Sequence, residues 1–373
     1  MLIKHNIETN KIFSFLNPYT NPNMRLFFIA LLIRLTTLLL IALFTPYSLN
    51  ELSTRYDSDS YLAITNSFPA PYNAPSMLPD VKHYPLLPFF IFLTNLLLNH
   101  LILSAHFVVL TAGSISVVIF YNIAKKYSDK AYELAILFSC FPPKWLHVST
   151  LIFSEPVFMM FLLLGILFIL EERYLPAFAS LGVAGIGRPV GIVFLAAFAA
   201  YSFIRERKIS TTITGLSLGL TPFILFHLYL YSQFHRLLLF AHSKGFGGRI
   251  FSFPFDGLFE GLFDTNMLIL RKLYTPLIFI FYLLSFFVCL AMLRKSRYLL
   301  ITLWYLPYFI FISFIKGESI NWWFISSPRL LLPIAPAALL LLGQYLSKER
   351  LQVLFYLAML LGVAYTIGTI YLN

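Results

Sequence analysis

The sequence predicts an all-α, polytopic membrane protein, and three observations carry that prediction. Apolar residues make up 59% of the 373 and charged residues only 12%, with mean hydropathy +0.80, whereas soluble chains carry about 25% charged residues. A soluble core of this size cannot absorb so much apolar surface, so the solvent must be lipid. The apolar residues also fall in long runs. Residues 24–44 suffice for a helix that crosses the hydrocarbon, which takes roughly 20 residues. Lastly, the basic residues gather in short connectors: Lys125, Lys126 and Lys130; Arg205, Arg207 and Lys208; Arg294, Lys295 and Arg297; Lys348 and Arg350. Short loops rich in Lys and Arg stay cytoplasmic. The net charge of +11 therefore reflects topology rather than a nucleic-acid surface.

Each element follows from this map. The polar start, with Lys4, His5, Glu8 and Lys11, lacks a small-residue cleavage pattern, so the first apolar run reads as a retained helix. Spans are expected near 24–45, 102–123, 131–149, 152–170, 174–188, 189–204, 211–231, 274–293, 298–315, 328–346 and 351–371. That is about 11 crossings of a single transmembrane domain, 1–373, with the C-terminus outside. The outer connectors are the long ones: 46–101, 232–273 and 316–327. Within the first, the apolar run 89–98 would rise only about 15 Å as a helix, too little to cross. It is expected to lie in the outer leaflet. The connector 232–273 carries Gly245, Gly247, Gly248, Gly257, Gly261, Pro254 and several phenylalanines, which suggests a lipid-facing loop that reshapes around a ligand. Arg271 and Lys272 run against the charge bias, but they end a long loop, where that bias is weak. Cys140 and Cys289 both fall in apolar spans, which supports neither a disulfide framework nor a zinc site.

On this map the polar residues near the spans favour one face. Asp57 and Asp59 follow the first span, and His83 and Tyr84 precede Pro85-Leu86-Leu87-Pro88. Glu155 opens an inward crossing, Arg188 joins two short spans, and Arg329 starts another inward crossing. Ionisable residues in spans are costly and usually face a partner or cavity. Convergence on one face is what a site would produce. Asp57 suits a general base or a helix cap. Asp59 suits a second acid, although on a helix it would point about 160° away from Asp57. Glu155 suits a second acid or a charge at a helix start. Arg188 and Arg329 suit phosphate binding or snorkelling to headgroups, and His83 reads most simply as an interfacial residue.

Five short motifs, in order along residues 55–333, resemble those of the GPI mannosyltransferase II (PIG-V)-type enzymes. They are Arg55-Tyr56-Asp57-Ser58-Asp59-Ser60-Tyr61, Tyr84-Pro85-Leu86-Leu87-Pro88, Phe153-Ser154-Glu155-Pro156, Gly187-Arg188-Pro189-Val190-Gly191 and Ser327-Pro328-Arg329-Leu330-Leu331-Leu332-Pro333. The chain departs at Tyr56, where Trp is usual, and at Leu87, where an aromatic is usual. The resemblance implies a GT-C membrane glycosyltransferase. It would take a hexose, mannose in that family, from a polyprenyl (dolichyl) phosphate to a lipid-linked or glycan hydroxyl. Asp57 would be the base and Arg188 and Arg329 the donor-phosphate ligands, with Arg55, Tyr61, His83 and Tyr84 as substrate contacts. The family acts without a metal, although a divalent ion between Asp57 and Asp59 is an alternative spelling of the same residues. The implied location is a prokaryotic plasma membrane or the endoplasmic reticulum, acting on the outer or lumenal face, with an accessory membrane subunit as a further partner. A competing reading is a transporter or flippase-like carrier of an anionic lipid or glycan. Such a carrier should show a pseudo-repeat and paired broken helices near mid-bilayer; no repeat is evident in the sequence.

Overall fold

A computed structural model of the chain describes residues 21–70, 83–206, 209–235, 249–263, 269–317 and 327–371. Most of the glycine-rich half of connector 232–273 lies outside the described residues. The first helix, α1 (Pro22–Phe44), starts where the Asn21 side chain accepts from the Asn23 amide at 2.9 Å and Pro22 occupies the first turn. Its buried residues Leu26, Ala30, Ile33, Arg34, Thr37 and Ile41 recur at helical spacing, while Phe28, Leu32, Leu35, Leu39 and Leu43 stay exposed. Such an apolar outer face is stable only in lipid.

Connector 46–101 holds the short helices α2 (Leu49–Ser53), α3 (Ser58–Asn66) and α4 (Leu86–Leu98). A Ser48–Glu51 capping box fixes the start of α2. Helix α4 extends the expected 89–98 run by one turn, and its 13 residues span about 20 Å, still short of a crossing. Then come α5 (Leu101–Ala124), α6 (Ala131–Phe138), α7 (Pro143–Val148), α8 (Glu155–Leu170), α9 (Tyr174–Gly185), α10 (Gly191–Glu206) and α11 (Ile209–Phe234). The expected continuous span 131–149 is instead the broken pair α6 and α7. Pro142 and Pro143 lack amide protons and cannot continue the ladder.

The chain continues through β1 (Arg249–Phe251), α12 (Asp256–Phe263), α13 (Ile269–Met292), α14 (Leu299–Ser313), β2 (Ile315–Gly317), α15 (Ala335–Gly343) and α16 (Lys348–Tyr371). Here too an expected span, 328–346, is interrupted: the helical residues 327–330 break at Leu331 into a 3-10 segment, Leu332–Ile334, before α15. The all-α expectation needs one amendment. β1 and β2 pair antiparallel, Arg249 opposite Gly317 and Phe251 opposite Ile315, so connectors 232–273 and 316–327 are joined. The Lys316 ammonium reinforces the ribbon with Asp256 at 2.8 Å and Glu260 at 2.7 Å.

The molecule is an integral, multi-pass membrane protein. Among the described residues five helices, 22–44, 101–124, 209–234, 274–292 and 348–371, are long and apolar enough to cross alone. The shorter α7, α8, α9 and α15 are largely buried. α9 crosses α11 so closely that a Cβ on Gly182 would lie 2.2 Å from the Gly219 carbonyl oxygen.

Candidate active site

The segment 152–155, which leads into α8, is the platform of the site. The Ser58 hydroxyl donates to the Ile152 carbonyl at 2.9 Å, and the Tyr61 hydroxyl donates to Ser154 Oγ at 2.9 Å. Helix α3 is thereby docked on this segment with Asp57 at its head, one residue before the first turn. Tyr56 reaches that turn with a positive φ of 59°, unusual for a bulky residue, and it anchors through its hydroxyl to the Thr369 carbonyl at 3.0 Å. The second motif is carried to the same place because the Leu86 amide donates to the Ile186 carbonyl at 3.3 Å, beside Gly187 and Arg188.

Four ions from four segments meet here. Arg329 Nη1 donates to Asp57 Oδ2 at 2.6 Å and Nη2 to Glu155 Oε2 at 3.2 Å, while its Nε also donates to Glu155 Oε1. Arg188 Nη1 donates to that same Glu155 oxygen. The Arg329 guanidinium lies over the Phe153 ring, 4.7 Å from its centroid. His83 Nε2 stands 3.4 Å from Asp57 Oδ1, and its ring meets Tyr61 edge-on with centroids 5.1 Å apart. The Glu155 side chain is only 3% exposed and Asp57 is 31% exposed, so the network is closed around Glu155 and open at Asp57.

Burial disfavours the Asp57 anion, but the Arg329 charge and the His83 contact outweigh it and hold the carboxyl well below the usual carboxylate range. Burial, with the nearby carboxylates Asp57 and Glu155, pushes the Tyr61 hydroxyl upward, so Tyr61 remains a proton donor. The site thus presents a partly exposed, ionised carboxylate backed by a fixed cation.

The sequence-predicted residues divide cleanly. Asp57, Tyr61, His83, Glu155, Arg188 and Arg329 come together. Asp59 is exposed and shares none of these contacts. Arg55 stacks over Tyr47 at 4.0 Å instead of entering the site. Tyr84 is buried in a separate cluster with Phe226 and His227. His83, read from sequence as interfacial, is a direct neighbour of Asp57. Glu155 is more than a helix-start charge, because two arginines close on it. Sequence reasoning singled out neither Lys144 nor His147, both buried on α7. His147 meets Phe153 with centroids 5.5 Å apart.

Over 87% of its length the chain is similar to the crystal structure of ArnT from Cupriavidus metallidurans bound to undecaprenyl phosphate, with a TM-score of 0.55 and 14% identity. The fold is of the GT-C type. The aligned region spans 61% of the ArnT chain, so the likeness stops short of the whole of that protein. No protein-family model and no curated protein matches the sequence.

Proposed function

We propose that the protein is an inverting membrane glycosyltransferase. In this reading it moves a hexose from a polyprenyl-phosphate donor to a hydroxyl of a lipid-linked or glycan acceptor on the outer or lumenal face. The observation that carries the proposal is the convergence of Asp57, Glu155, Arg188 and Arg329 from four separate segments at one end of the bundle. The undecaprenyl phosphate in the ArnT structure and the mannosyltransferase-like motifs support the donor class, with mannose as the sugar to try first.

Asp57 accepts the acceptor's hydroxyl proton as that oxygen attacks the sugar's anomeric carbon from the face opposite the phosphate. The new carbon–oxygen bond forms while the bond to the phosphate oxygen breaks. The electron pair leaves with the polyprenyl phosphate, the configuration inverts, and the proton rests on Asp57. His83 orients the carboxylate through Oδ1 while Arg329 holds Oδ2. Glu155 acts as the counter-ion that fixes both guanidinium groups, which is why it can be buried. Arg329 uses three of its five N–H groups in this network, leaving others to meet the sugar. Asp59 has no assigned step.

A positioned base contributes about 10²–10⁴-fold to rate. Asp57→Asn keeps the shape but removes the proton acceptor. Transfer from radiolabelled polyprenyl-phosphate mannose by purified protein should fall by that factor, with expression and folding retained. Parent-like transfer by Asp57→Asn would remove it from the mechanism. Unchanged parent activity in chelator is expected of the metal-independent chemistry, and loss in chelator would revive a metal at Asp57 and Asp59.

A further inference from the structure

The charges of the acid–arginine network cancel: two carboxylates face two guanidinium groups. A sugar phosphodiester arrives with one negative charge, and the departing polyprenyl phosphate gains another as the bond breaks. A neutral cluster offers that charge no net compensation, so a further cation is needed near the acids. Helix α7 supplies one. Lys144 is 4% exposed, and its ammonium lies 5.4 Å from the centroid of the Tyr365 ring. One turn on, His147 is fully buried, and neither of its ring nitrogens has a hydrogen-bond partner among the described residues. A buried imidazole without partners is costly in an apolar surround, which makes it a group awaiting a ligand.

This pair adjoins the site. His147 and Arg329 both pack on Phe153, at 5.5 and 4.7 Å from its centroid. His147 also touches Tyr365 edge-on at 5.9 Å, and Tyr365 packs on Tyr274, whose hydroxyl accepts from the Lys144 amide at 3.1 Å. Tyr56 lies against His147 on another side, 5.8 Å between centroids, and is itself tied to Thr369.

We propose that Lys144 and His147 bind the phosphate of the lipid donor, with Tyr365 beside them and Tyr56 as the side chain that moves to admit it. Arg188 and Arg329 then serve the acids instead of the phosphate. The proposal rests on the glycosyltransferase reading above, and it places the leaving group and Asp57 on either side of Phe153. As the anomeric bond breaks, the lysine ammonium and an imidazole N–H neutralise the phosphate oxygen that takes the electron pair.

The test is equilibrium binding of undecaprenyl phosphate, against undecaprenol as the uncharged control, to the full chain in nanodiscs. The parent should prefer the phosphate. Loss of one charge-assisted contact should weaken phosphate binding by about 10- to 150-fold in Lys144→Gln, leaving undecaprenol binding unchanged. Lys144→Arg should recover most of the loss, and His147→Gln should lose part of it. If Lys144→Gln does not fold, His147→Gln gives the same readout. A parent that binds the two lipids equally would overturn the glycosyltransferase reading. A parent that discriminates while Lys144→Gln or His147→Gln discriminates equally well would overturn this assignment alone.

Discussion

Asp57 and Glu155 are both carboxylates on Arg329, yet their surroundings give them different consequences. Asp57 is partly open, and its carboxyl is held below its ordinary value of 3.8. The sign follows from that depression. The stabilisation it draws from Arg329 and His83 is complete above the unfolded value, and it is lost only as pH falls through the lower folded value. As a base Asp57 is therefore ionised throughout the neutral range. We expect kcat/KM to show no limb from this group between about pH 5 and 7; an acid limb near pH 6 would assign the base to another residue. Glu155 is closed in by Arg188 and Arg329. Removing its charge leaves two guanidinium groups facing the single carboxylate of Asp57, and breaking a buried pair in this way typically costs about 3–5 kcal/mol. Glu155→Gln should accordingly lower thermal stability in detergent more than Asp57→Asn does, and equal melting temperatures for the two variants would contradict this hierarchy. The residue types of the site were legible in the motifs, but their partnerships were not. Asp57 and Arg329 lie 272 positions apart, and no spacing rule connects them. His83 looked ordinary for the same reason, since only the fold brings it to Asp57.

At the scale of elements, the sequence placed the helices well and their interruptions poorly. Hydropathy averages over a window of about 19 residues, so it merged α6 with α7 and overlooked the break at 331–334. Those breaks matter to the site: one creates the short helix bearing Lys144 and His147, and the other delivers Arg329 at the head of a crossing. The β1–β2 ribbon was hidden too, because three-residue strands in an apolar chain leave no period to detect. The contact of α9 with α11 gives an element-level prediction. A methyl group on Gly182 would meet the Gly219 backbone at 2.2 Å, and backbone cannot rotate aside as a side chain can. Gly182→Ala should force the helices apart at a cost of about 1–3 kcal/mol. Gly368→Ala, which would meet nothing within 4 Å, is the matched control. Equal thermal stability of the two variants would refute the close packing.

For the whole molecule, orientation is the property to test. Single cysteines placed at 125–130, 294–297 and 347–350 should resist a membrane-impermeant thiol reagent on intact cells, and cysteines in 256–263 should react. Labelling of the 294–297 connector from outside would invert the map and with it the face of Asp57. The fold class was readable from composition and charge placement because lipid imposes them on every span. The site was readable only as scattered short motifs. That arrangement has a consequence for descent. The ions that meet around Arg329 and Glu155 come from segments only a few residues long, separated by helices whose chief obligation is to be apolar. Exchanges among large aliphatic residues usually cost less than about 1.5 kcal/mol when volume is conserved, so most positions can drift almost without penalty. Sequence similarity can then fall far below what the fold alone would suggest, as the 14% identity beside a TM-score of 0.55 illustrates. In a chain of this kind, ancestry is stored in a handful of charged letters and in the path that brings them together.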